Sequence, residues 1–184
     1  MKKVLTLIAI VLLASNSTFA QKYFSRTGHV NFFSDTKMED IKADNTKATV
    51  IVDAASGAVE FSLLIKSFEF EKALMQEHFN ENYVESDKFP NAMFKGKVAN
   101  LNDIDFKTNG EYQVVVEGEM TIHGETKPIQ TTGKFQVTDE TISGRSVFIV
   151  KPEDYKIKIP NTVVQNIAEE IEVTVEVSLK ALKK

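Results

Sequence analysis

The chain has no cysteine and no tryptophan among its 184 residues, and only three histidines, four prolines and eight glycines. Without cysteine there are no disulfides, no thiolate catalysis, no zinc–thiolate site and no lipid attached through an N-terminal cysteine. Stability must then come from a packed core. The histidines, His29, His78 and His123, stand at no i,i+2 or i,i+4 spacing and share no ligand pattern with a carboxylate, so no metal site is expected. Neither Ser56–Gly57 nor Ser143–Gly144 has the surroundings of a nucleophile elbow. Asp103 and Asp105, beside Asn102, read as solvated loop acids. No catalytic residue is expected and the chain does not read as an enzyme. Basic patches are missing too: the formal charge is −4, which argues against a nucleic-acid surface and against binding anionic membranes by charge.

Long apolar runs are confined to the start. Lys2 and Lys3 precede the apolar stretch Val4–Ala14, and Ser15–Ala20 then turns small and polar. This is the pattern of a signal peptide cleaved before Gln21, and its apolar run is too short to span a bilayer. Residues 1–20 are therefore expected to be an export signal, and residues 21–184 one domain of 164 residues in the periplasm or secreted. Removing Lys2 and Lys3 takes the formal charge from −4 to −6. No later stretch reaches membrane-spanning length, so the mature chain is not expected to be an integral membrane protein. Nothing in the pattern fixes its oligomeric state, and a homodimer stays open.

What the chain does have is alternation. In Glu111–Val137, Tyr112, Val114, Val116, Met120 and Ile122 share one parity while Gln113, Glu117, Glu119, Thr121 and His123 take the other. Successive strand residues point to opposite faces, so this is a strand with one dry face. A tight turn over His123–Pro128 returns the chain through Ile129, Phe135 and Val137, and Pro128 belongs at a strand start or in the turn. His123 is expected to cap that turn or bond the backbone. Lys127 beside Pro128 reads as a rim residue that meets a polar headgroup, or as an ordinary surface lysine. A lone hairpin cannot bury its apolar face and needs more sheet.

Further strands are read at Tyr23–Ser34, Lys47–Val52, Ala58 to about Phe68, Ala92–Val98, Thr141–Val150 and Ile171–Leu179, with Met38–Asn45 a loop. A parity switch at Phe68 and Phe70 indicates a bulge or bend. Between the strands, Leu74, Met75, His78 and Phe79 fall at helical spacing and define one helix over Glu71–Asn82. Eight strands joined mainly by short turns form an antiparallel up-and-down barrel, since an even number lets the last pair with the first and removes the exposed edges. With strands of about ten residues at ~3.3 Å each, the interior is on the order of 30 Å long and suits a slender, extended ligand.

Two stretches resemble the YceI family of exported, lipocalin-like proteins: LMQEHFNENYVESDKFPNAMFKG (Leu74–Gly96) and GEMTIHGETKPI (Gly118–Ile129). With the order of strands, the resemblance covers nearly all of residues 21–184. It implies an eight-stranded antiparallel barrel whose apolar lumen holds a long isoprenoid chain, such as a quinone tail. The chain departs from the family pattern in lacking its N-terminal tryptophan, in having Thr27–Gly28–His29–Val30 for a histidine-serine pair, in its loop over Asp35–Asn45, and in having Met120 for a leucine.

The candidate lumen wall is Phe61, Leu63, Ile65, Phe94, Val98, Val114, Val116, Met120, Phe135 and Phe148. Thirteen phenylalanines supply the apolar volume. Pattern alone leaves two readings open, a hollow barrel or one filled by its own side chains; the second would make a structural or stress-response protein acting through its surface. The helix, through Leu74, Met75 and Phe79, reads as a lid over one end or as a static cover. The expected partner is a long-chain apolar small molecule, an isoprenoid or quinone lipid, with no other cofactor.

Overall fold

The computed structural model describes residues 21–182; the expected signal over residues 1–20 lies outside them. Eight long strands run β1 (Lys22–Ser34), β2 (Ile41–Asp53), β3 (Ala58–Leu64), β5 (Asn91–Val98), β6 (Gly110–Ile122), β7 (Glu125–Val137), β8 (Thr141–Val150) and β9 (Ile171–Ala181), with a two-residue strand β4 (Glu69–Phe70) after β3. Each long strand pairs antiparallel with the next, and β1 pairs with both β2 and β9. The sheet is thus a closed eight-stranded up-and-down barrel. The short β4 adds to the edge of β2 at Ala43 and Asp44. The one α-helix, α1 (Ala73–His78), continues as a wider π turn over Phe79–Tyr83.

The hairpin of β6 and β7 carries thirteen consecutive pairs, from Gly110↔Val137 to Ile122↔Glu125. Its turn is shorter than the sequence pattern indicates. Only His123 and Gly124 lie outside the strands, with φ of 52° and 76°. Two successive positive φ values match the right-handed strand twist in a two-residue turn. Gly124 is required for a second reason: a Cβ there would come within 2.6 Å of the Phe89 ring. Pro128 consequently lies inside β7, opposite Glu119. It is tolerated because β7 pairs with β8 only over Gly133–Val137, so this part of β7 is a sheet edge.

Two more boundaries differ from the sequence reading. Met38–Asn45 is not all loop, since β2 begins at Ile41. Its inward residues there are small or polar, Ala43 and Asn45, both fully buried. Asn45 is satisfied by donating to the Leu64 carbonyl at 3.0 Å and accepting from the Lys47 amide at 2.9 Å. The third strand ends at Leu64 rather than near Phe68. A 3-10 turn over Ile65–Ser67 produces the parity switch seen at Phe68 and Phe70.

The interior divides into two clusters. At the end bearing the β2–β3 turn, Val98, Ile104, Val137 and Ile142 pack into a solid core with Leu101, Phe106 and Tyr112 against it, and Val52, Val114 and Leu179 form its inner edge. At the other end Val30, Ala43, Leu63, Ile65, Phe68 and Val84 form a second cluster joined by Phe32, Phe70 and Phe79. Four rings meet there. Phe32 lies 5.3, 5.7 and 5.5 Å from Phe68, Phe70 and Phe79.

Candidate functional site

Inward-facing residues of every long strand surround a cavity of about 680 Å³, lined almost wholly by carbon. Of the ten candidate wall residues, Phe61, Leu63, Ile65, Phe94, Val114, Val116, Met120, Phe135 and Phe148 line it. Val98 does not. It closes β5 at the solid end, 3% exposed among the buried core residues, because the inward parity of the strand continues past the bottom of the cavity.

Phe94 and Phe135 leave room because their rings lie back against the wall. Gly96 of β5 pairs with Gly118 of β6, and the Phe94 ring covers both. A Cβ built on Gly96 or Gly118 would come within 2.5 or 2.8 Å of Phe94 Cζ. Phe135 of β7 pairs with Gly144 of β8, and a Cβ on Gly144 would lie 3.0 Å from its ring. A side chain at any of these glycines would lift a ring into the lumen.

Leu74, Met75 and Phe79 also line the cavity, at the end away from the solid core. Leu74 is 61% exposed, so the cavity reaches solvent beside α1. The helix start is tied to the segment before β2 by an ion pair, Lys72 Nζ to Glu39 Oε1 at 2.7 Å. That bond raises the Lys72 ammonium above its ordinary value.

Where β7 and β8 part, the wall is completed by the irregular segment over residues 151–170. Its Ile157, Ile159, Val163 and Ile167 line the cavity. Sequence reasoning missed them; the one signal was the presence of four apolar residues within a polar stretch. The segment is held by Lys151–Glu170 at 2.9 Å, Lys156–Glu125 at 2.8 Å and the Ala168 amide donating to Ser34 Oγ at 2.8 Å.

The histidines are dispersed. His29 on β1 meets Asp44 at 2.7 Å on the outside, and His78 is at the cavity mouth. His123 joins three connections: Nδ1 donates to the Tyr155 carbonyl at 3.0 Å, Nε2 lies 2.9 Å from Glu85 Oε2, and Phe89 packs against the ring. The bond to His123 holds the Glu85 carboxyl below its ordinary value. Lys127 is exposed beside this turn. Asp105 accepts from the Thr108 hydroxyl and the Lys107 amide, and so orders its own turn.

A closed antiparallel barrel, solid at one end and hollow and apolar at the other, places the protein among the small-barrel folds with an internal cavity. Among the described residues no helix is long and apolar enough to cross a membrane. The chain belongs to the YceI-like domain family, whose model matches residues 14–179. A polyisoprenoid binding domain from Saccharophagus degradans, implicated in plant cell wall breakdown, is similar with a TM-score of 0.75 at 14% identity, over 89% of this chain and 99% of that one. BcnA from Burkholderia cenocepacia gives 0.67 at 16% identity, over 83% and 95%. A YceI protein from Campylobacter jejuni gives 0.57 at 17%, over 87% and 86%. At these identities the likeness is one of fold. No curated protein matches the chain.

Proposed function

We propose that the protein is an exported carrier that sequesters a long apolar molecule of isoprenoid type, with a quinone-like tail held in the barrel lumen. The observation that carries this reading is the apolar cavity of about 680 Å³, kept open in its middle where Phe94 and Phe135 fold back over glycines. Its mechanism is burial rather than bond-making. Each buried methylene contributes about 0.8 kcal/mol, so a chain of several isoprene units binds without polar contacts. The wall residues Phe61, Leu63, Ile65, Phe94, Val114, Val116, Met120, Phe135 and Phe148 make the contacts, and Leu74, Met75 and Phe79 frame the entrance. The likeness to a polyisoprenoid binding domain supports the ligand class, and the basic-then-apolar start of the chain supports export.

Extraction of the natively purified protein with organic solvent, followed by mass spectrometry, is expected to recover an isoprenoid lipid. Repeated recovery of nothing would favour the second reading, a structural protein acting through its surface, to which the filled half of the barrel lends support.

A further inference from the structure

We infer that Phe94 and Phe135 form a floor that gauges the length of the bound chain, and that this barrel takes an apolar tail of about four isoprene units. The inference rests on the carrier reading and adds a length class to it.

Both rings belong at once to the cavity lining and to the core cluster, and Val52, Val59 and Leu179 share that layer with them. Beneath them Val98, Ile104 and Phe106 fill the barrel, with the Phe106 ring 6.3 Å from Phe135 and 6.0 Å from Tyr23. A chain entering beside α1 therefore stops at the layer that these rings form with Val52, Val59 and Leu179. Their height is set by the neighbouring strands, since each ring rests where glycine leaves no side chain. At ~30 Å³ per chain carbon, about a water molecule's share of liquid volume, the cavity of about 680 Å³ holds roughly 20 carbons. That is the carbon count of four isoprene units. A longer chain must leave its surplus at the mouth, where burial no longer favours it. The charged pair Lys72–Glu39 at that end and the absence of polar side chains on the floor fix the direction of entry, tail first.

The test is a competition. The purified full-length mature protein is incubated with an equimolar mixture of all-trans isoprenoid alcohols of two to eight units, and the bound fraction is read by native mass spectrometry. The four-unit alcohol is expected to dominate. Phe94→Ala deepens the cavity and is expected to move the maximum one unit longer. Gly144→Ala places a Cβ 3.0 Å from the Phe135 ring and from Val177, pushes the ring inward and is expected to move it one unit shorter. Phe94→Leu keeps more of the packing and serves where alanine does not fold, as judged by circular dichroism; it shifts the maximum in the same direction by less. A flat length profile, or one maximum shared by the wild type and the folded variants, overturns the gauge and leaves the carrier reading standing. Failure of the wild type to bind any of these alcohols defeats the carrier reading, and the gauge with it.

Discussion

The two ends of this barrel use the same eight strands and differ in what fills them. At one end Ile142 and Val137 are all but completely buried in a continuous apolar core. At the other, residues of the same parity on the same strands face a void. Alternation alone therefore says which way a side chain points and nothing about whether it meets a neighbour. The difference is made by two devices: loop residues Leu101, Ile104 and Phe106 plug one end, while glycines on neighbouring strands draw Phe94 and Phe135 away from the axis in the middle.

The comparison breaks most directly at a core residue beneath the floor. Ile142→Ala is expected to lower stability by about 2–5 kcal/mol, as for other large-to-small core changes, with urea unfolding as the measurement and no change in the lipid recovered. Next comes the entrance end, where bonds between connections add to the packing of the second apolar cluster. His123→Ala deprives the buried Tyr155 carbonyl of its donor and is expected to cost about 1–3 kcal/mol, again by urea unfolding. In the hollow itself, Met120→Ala removes atoms that already border empty space. It should cost about 1 kcal/mol, while the lipid retained through purification falls measurably. Equal costs for Ile142→Ala and Met120→Ala would show that the hollow is filled in solution.

The smallest effect concerns acid. The carboxyls of Glu85 and Glu125 at the entrance end are held down by bonds to His123 and Lys156. Those of Asp53 and Asp105 at the solid end are held down by the Ser56 amide and the Thr108 hydroxyl. A lowered folded-state value means the contribution is present above the ordinary carboxyl value, 4.5 for Glu and 3.8 for Asp, and is lost as pH falls through the lowered one. Both ends should loosen on acidification, the entrance first because its apolar cluster borders the cavity and not a continuous core. Amide exchange followed between neutral pH and pH ~3 checks the order. Simultaneous loosening would count against the division into two halves.

The parts legible in the sequence were those where side-chain chemistry follows the pleat. The β6–β7 hairpin and β9 alternate apolar and polar residues along most of their length, and their inward residues line the interior. The opening of β2 was hidden because Ala43 and Asn45 occupy inward positions where hydrophobes are expected; a buried asparagine shows its role only once the Leu64 carbonyl is in place. Val98 has the right parity but the wrong depth, and depth along a barrel axis is set by loops folding back from elsewhere. The floor was invisible for a related reason. Its phenylalanines could be read off the chain, but their resting places on Gly118 and Gly144 depend on strand register. The apolar members of the 151–170 segment had no strand or helix period to announce them.

That segment covers the only stretch along β7 where neighbouring long strands part company, from Glu125 to Thr132. A tube sewn shut by backbone bonds is easier to pry along an unfinished seam, and here the patch over the seam is made of side chains and a few ionic stitches. Mechanical strain on the barrel, or the thermal breathing that precedes unfolding, would concentrate on that line and leave the thirteen-rung ladder of β6 and β7 as the spine about which the wall swings.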